Sequence, residues 1–297
     1  MAFTDRFWTS PDGLKLHARD YAAASGPARA PVICIHGLTR NARDFEDLAP
    51  WIAEGENSGG GRRVLAVDVR GRGQSAFDPD SSHYVPAVYA ADILALMDAL
   101  AIAKAVFIGT SMGGLITMVI GAMRPAAIAA TVLNDVGPEL DPVGLARIGG
   151  YVGGGGPIED WTGAAAYAQR LNEVVFPHYG PDDWMAFAHR LFTEADGRPK
   201  LDYDPGISAA FKKPELKPGE EPPAPPDLWP LFHGLADHPL LTIRGATSDI
   251  LSPAVAEHMR IAAPDMAYTE VDDVGHAPML DEPQARRAID QLLKVAP

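Results

Sequence analysis

Thiols are nearly absent from this 297-residue chain, which has a single cysteine, Cys34. No intramolecular disulfide can form, and no Cys/His spacing offers zinc a site, so no metal is expected. Cys34 lies in the apolar run PVICI and reads as a buried core thiol rather than a reactive one. Positive charge is scarce as well: 25 Lys and Arg stand against 39 Asp and Glu, a formal net charge of -14. That balance argues against a nucleic-acid backbone or an anionic membrane as partner. No apolar run reaches bilayer-spanning length, and the opening MAFTDRFWTSPDG has no basic-then-apolar leader pattern. A cytoplasmic protein is therefore expected.

What the chain does contain is an alternation of short apolar runs with longer helical patterns, the signature of a parallel sheet covered by helices. LKLHARDY reads as an early strand paired with DRFWT across an SPDG turn. The runs VICI, VLAV, AVFI, TVLN, LLTI and YTEV supply six more strands. Between them, Tyr89, Ile93, Leu96, Met97 and Leu100 recur at helical spacing. Near the end, DEPQARRAIDQLLKV predicts a helix with Asp281 as N-cap, Pro283 in the first turn and Gln284 completing a capping box. The rhythm breaks between Pro138 and Leu235, where YVGGGGP, helical stretches around Trp161, Tyr167 and Trp184, and the proline-rich KPELKPGEEPPAPPDLWP occur. The proline-rich run cannot form a regular helix and is expected to cross the surface in extended form. The expected organisation is a core of 1–137 and 236–297, interrupted by a helical insertion over 138–235.

Gly109-Thr110-Ser111-Met112-Gly113 follows the strand AVFI and opens an apolar helix, the setting a G-x-S-x-G nucleophile elbow requires. Such a turn is sharp, and glycines two residues either side of the serine keep it free of clashes. The plainer alternative is a glycine-rich turn that happens to contain serine. A serine hydroxyl needs a base. Of nine histidines, His276 lies just beyond the last strand, at the sheet edge where open α/β sheets bind ligands. His17 falls on a strand and His258 on a surface helix. An acid must orient the imidazole. Asp249, beyond LLTI, is the preferred candidate, and Asp135, directly after TVLN, is the rival that could instead brace the loop entering the insertion. Backbone amides of Met112 and of Leu38, in the turn HGLTRN, are candidates for an oxyanion hole.

With HGLT, DVRGRGQS, GTSMGG, RGATSDIL and GHAPMLDEP in this order, the chain resembles the α/β-hydrolase family, specifically its cap-bearing serine members. The resemblance implies an eight-stranded, mostly parallel sheet flanked by helices, with a cap inserted after the sixth strand. It implies Ser111 as nucleophile, His276 as base and acid, Asp249 as orienter, and no cofactor. Epoxide hydrolases and haloalkane dehalogenases of this fold resemble a pattern with aspartate at position 111. Carbon–carbon hydrolases of ring-cleavage pathways typically follow the histidine with tryptophan, where this chain has Ala277 and Pro278. The ending looks more like simple esterases and enol-lactone hydrolases. The expected activity is hydrolysis of a small carboxylic ester or lactone. Carbon–carbon hydrolysis and slow-turnover ligand reception on the same fold are the alternatives. Arg40 is a candidate for contact with a substrate carboxylate, with a salt bridge to Asp44 as the simpler role. Among the insertion's aromatics, Trp184 is a candidate for lining an apolar pocket, with packing as the simpler role.

Overall fold

The computed structural model describes residues 2–24, 29–55, 60–154, 156–211 and 226–297. An eight-stranded sheet runs in the order β1-β2-β4-β3-β5-β6-β9-β10. Its members are β1 (Thr4–Thr9), β2 (Lys15–Tyr21), β3 (Val32–Ile35), β4 (Val64–Asp68), β5 (Ala105–Thr110), β6 (Ile128–Asn134), β9 (Leu240–Gly245) and β10 (Ala267–Val271). The pairings of β1 with β2 and of β2 with β4 are antiparallel, and every other pairing is parallel. Each predicted strand is present. The central ones are buried along their whole length because helices cover both faces, which is why they read as continuous apolar runs.

Two cores result. One joins α2 (Pro86–Ala99) and α3 (Met112–Met123) to one face of the sheet, through Ile93, Leu96, Met97 and Ile116. The other joins α1 (Leu48–Glu54) and α9 (Pro283–Val295) to the opposite face, through Ile52, Ile289 and Leu293. Cys34 lies in this second core, fully buried, and burial pushes its thiol well above the ordinary range. It behaves as a small apolar side chain.

The start of α9 differs from expectation by one residue. Pro283 disfavours a helical conformation in the residue before it, so Glu282 is extended and becomes the N-cap in place of Asp281. The Glu282 carboxylate accepts from the Met279 amide at 2.8 Å, and Gln284 turns toward Asp272, so no capping box forms.

Between β6 and β9 the chain passes through α4 (Pro142–Gly149), α5 (Trp161–Asn172), α6 (Pro181–Leu191) and α7 (Trp229–His233). This stretch is not purely helical. A hairpin, β7 (Phe192–Ala195) with β8 (Arg198–Leu201), turns at Asp196 and Gly197, both at positive φ. Asp-Gly is a sequence that favours this two-residue turn. Most of the proline-rich run, 213–225, lies outside the described residues.

Candidate active site

Strand β5 ends at Thr110 and α3 begins at Met112, leaving Ser111 alone to reverse the chain. It does so at φ 51°, a left-handed conformation costly for a residue with a side chain. The glycines make that reversal possible. A methyl group on Gly113 would collide with the carbonyl of Ile35, and one on Gly109 with the backbone of Gly113. The Ser111 amide is anchored to the carbonyl of Asn134 at 2.9 Å, so the elbow is pinned to the neighbouring strand.

His276 arrives on the loop after β10. Its Nε2 lies 2.8 Å from Ser111 Oγ, and its Nδ1 lies 2.7 Å from Asp135 Oδ2. The loop is held there by Asn134, whose side-chain amide donates to the Pro278 carbonyl at 2.8 Å. Only 8% of the His276 side chain and none of Asp135 is exposed, so the contact between the two is shielded from water. Asp135 also accepts from the Gly245 amide at 2.9 Å and from Ser248 Oγ at 2.6 Å.

The acid paired with His276 is therefore Asp135, and the preference for Asp249 is corrected. Both follow neighbouring parallel strands, but at different heights. Asp135 comes one residue beyond β6, where its amide still donates to the Ile243 carbonyl at 2.7 Å. Asp249 comes four residues beyond β9, after the loop has turned. In that loop Ser248 is the residue that reaches the histidine–aspartate pair. Asp249 faces α4 and is gripped by Arg147 Nε at 2.5 Å and Nη2 at 2.8 Å. Burial works to raise its carboxyl, but the hydrogen bonds and charge of Arg147 outweigh that and hold it below the ordinary carboxylate value.

Leu38 lines one cavity together with Ser111, and Met112 follows the serine as the first residue of α3. Among the described residues neither backbone amide donates to a protein group. The Leu38 turn is fixed by two buried side chains. His36 Nε2 accepts from the Val69 amide at 3.0 Å, so Nδ1 carries the proton and donates to the Gly37 carbonyl at 2.7 Å. Burial pulls His36 down to about 4, so the ring is neutral near neutral pH. Arg72 donates from Nε to the Leu38 carbonyl at 2.9 Å and from Nη1 to Tyr89 Oη at 3.0 Å.

Over Ser111 and His276 lies a cavity of about 100 Å³. Arg40 lines it, yet its Nε also donates to both Asp44 oxygens at 2.8 and 2.9 Å, and its plane lies 4.2 Å from the Phe187 ring centroid. The salt bridge to Asp44 is thus present on a side chain that also lines the cavity. Trp184 is corrected: it packs in the insertion's own core at 5.1 Å from Tyr179 and 5.9 Å from Phe187, away from the cavity wall. The insertion's contributions to that wall are instead Ile148, Tyr151, Tyr167, Leu171, Asn172, Phe176, Leu191, Leu201 and Tyr203. The sequence marks Tyr167 only as part of a helical stretch, because nothing in a linear pattern distinguishes a residue that faces the serine from one that faces a helix.

Among the described residues, one group offers metal-ligating atoms within reach of one another: Asp12, Asp78 and His83. Arg70 Nη1 already donates to Asp12 at 2.8 Å and to Asp78 at 2.5 Å, so a guanidinium fills the place of a cation. No helix among the described residues is long and apolar enough to cross a membrane.

Comparison with known proteins agrees with this architecture. Residues 32–288 match the alpha/beta hydrolase family. A 3-hydroxybutyrate-oligomer hydrolase of Cupriavidus necator is 34% identical over 92% of this chain and 91% of its own length. Esterase YbfF of Escherichia coli is 32% identical over 42% of this chain and 46% of its own. The crystal structure of an alpha/beta hydrolase from Novosphingobium aromaticivorans superposes with a TM-score of 0.87, at 45% identity and 99% coverage of both chains. The chain is a hydrolase belonging to the alpha/beta hydrolase family.

Proposed function

We propose that the protein is a serine hydrolase that cleaves a short carboxylic ester or lactone through an acyl-enzyme on Ser111. The observation that carries this reading is the unbroken line from Asp135 Oδ2 through the two nitrogens of His276 to Ser111 Oγ, at 2.7 and 2.8 Å. Asp135 can accept from Nδ1–H, which leaves Nε2 unprotonated and facing the hydroxyl. As Ser111 Oγ bonds to the substrate carbonyl carbon, its proton passes to Nε2. The carbonyl oxygen becomes an anion opposite the amides of Leu38 and Met112. The carbon–oxygen bond then breaks, and the leaving alkoxide takes the proton from His276. Water activated by the same nitrogen releases the acid. No metal or organic cofactor is required by any of these steps.

The described residues of the insertion that line this cleft act as its cap and limit its size. The relative from Cupriavidus necator is named for oligomers of 3-hydroxybutyrate, which makes short oligoesters of hydroxy acids the first substrates to test.

A panel of p-nitrophenyl esters, lactones, hydroxy-acid dimers and a vinylogous diketone, assayed with purified protein, tests the proposal. Ester or lactone turnover is expected, with Ser111→Ala lowering it by about 10⁴-fold or more. Turnover of the diketone alone would replace ester cleavage with carbon–carbon hydrolysis. One covalent adduct per chain without turnover would replace it with ligand reception.

A further inference from the structure

A second space adjoins the cavity over Ser111. It measures about 600 Å³, opens to solvent, and lies between the turn after α4 and the face of α5 that carries Gly163, Tyr167, Arg170 and Leu171. Tyr151, Tyr167 and Leu171 line both spaces. These three side chains are thus a shared wall, with the serine on one side and the open groove on the other. The Tyr167 hydroxyl reaches the Gly154 carbonyl at 3.4 Å, a long bond, so no tight backbone contact seals the wall.

The sizes of the two spaces divide a substrate between them. At about 100 Å³ the inner cavity is far below the roughly 300–1,000 Å³ of sites that enclose a whole ligand. It suits one short acyl unit, and a longer substrate can continue past Tyr151 and Tyr167 into the outer groove. The charges in the outer groove are also unequal in their commitments. Glu159 pairs with Arg198 at 3.1 Å, and Asp160 caps α5 by accepting from the Gly163 amide at 2.8 Å. Arg170 lies 5.1 Å from the centroid of the Tyr167 ring, and no carboxylate pairs with it among the described residues.

We propose that the outer groove is the leaving-group subsite and that Arg170 selects a leaving unit ending in a carboxylate. Given the ester-hydrolase reading above, a hydroxy-acid oligoester then binds in one direction. Its hydroxyl-terminal unit fills the inner cavity as the acyl group, and the rest of the chain passes the tyrosines with its carboxylate toward Arg170. Cleavage breaks the ester bond nearest the hydroxyl end. The acyl unit stays on Ser111 Oγ, the shortened chain leaves as an alcohol after taking the His276 proton, and water frees one hydroxy acid. A trimer should therefore yield monomer and dimer first.

Arg170 is exposed, so Arg170→Gln can be made without disturbing a core. It should lower kcat/KM for free-acid dimer and trimer by about fivefold, and Arg170→Lys should restore most of it. The same chains as methyl esters, and p-nitrophenyl acetate, should be unaffected. Equal rates of wild type and Arg170→Gln on the free acids would overturn the assignment. Binding measured by calorimetry in the Ser111→Ala background separates this from catalysis. Tighter binding of the free-acid trimer than of its methyl ester, lost in Arg170→Gln, supports the subsite even if no ester is turned over. Equal binding of the two overturns it even if esters are cleaved.

Discussion

Two buried histidine–aspartate pairs sit at the same end of the sheet, and only one of them faces a serine. His17 Nδ1 lies 2.7 Å from Asp68 Oδ2, the same separation as between His276 Nδ1 and Asp135 Oδ2. Both aspartates follow or end a central strand, both are hidden from solvent, and both accept backbone amides. What differs is the far nitrogen. His276 Nε2 meets the Ser111 hydroxyl, whereas His17 Nε2 meets a second carboxylate, Asp5 Oδ1, at 2.9 Å. A ring between an acid and a hydroxyl can take up a proton and give it back. A ring between two acids is favoured in its protonated form: burial opposes the charge on His17, but Asp68 and Asp5 together raise its pKa above the ordinary 6.5. The same dyad geometry thus meets a hydroxyl in one place and a second acid in the other.

The sharpest way to break this comparison is at the acids. Asp135→Asn removes the acceptor that fixes the His276 tautomer and should lower kcat on the order of 10⁴-fold in a p-nitrophenyl ester assay, with the fold retained by circular dichroism. Asp249→Asn should cost less than about tenfold, because it loses only a partly exposed pair with Arg147. Equal losses in the two variants, or a larger one at Asp249, would return the orienting role to Asp249.

At the His17 pair the readout is stability rather than rate. His17→Gln leaves Asp68 buried without its cationic partner and should cost about 3 kcal/mol near pH 6, measured by urea unfolding. Because the folded state raises the His17 pKa, its contribution is complete below 6.5 and disappears as pH climbs through the raised value. The gap between wild type and His17→Gln should therefore narrow with rising pH, and a gap that widened would rule out a protonated His17. The smallest effect is expected from Asp5→Asn, about 0.5 kcal/mol, since that carboxylate is 49% exposed.

Linear pattern was sufficient for the sheet, for the elbow turn and for the placement of His276 beside Ser111. Strand runs such as VICI and TVLN are continuous apolar stretches because both faces are covered, and GTSMGG must place its serine at a turn where only glycine tolerates the crowding. His276 was legible because the loop after the final strand can reach only one end of the sheet. Its acid was not. Asp135 and Asp249 both follow strands at that end, and the choice depended on how far each lies past its strand and on Arg147 arriving from the insertion. The walls of the cavity depended likewise on which faces of α4 and α5 turn toward the serine. Local sequence fixes where a chain turns and which residues must be buried, because those follow from sterics and hydration of neighbouring groups. Which of two carboxylates meets a histidine, and which tyrosines line the cavity over the serine, is decided by strand register and by contacts between segments far apart in the chain.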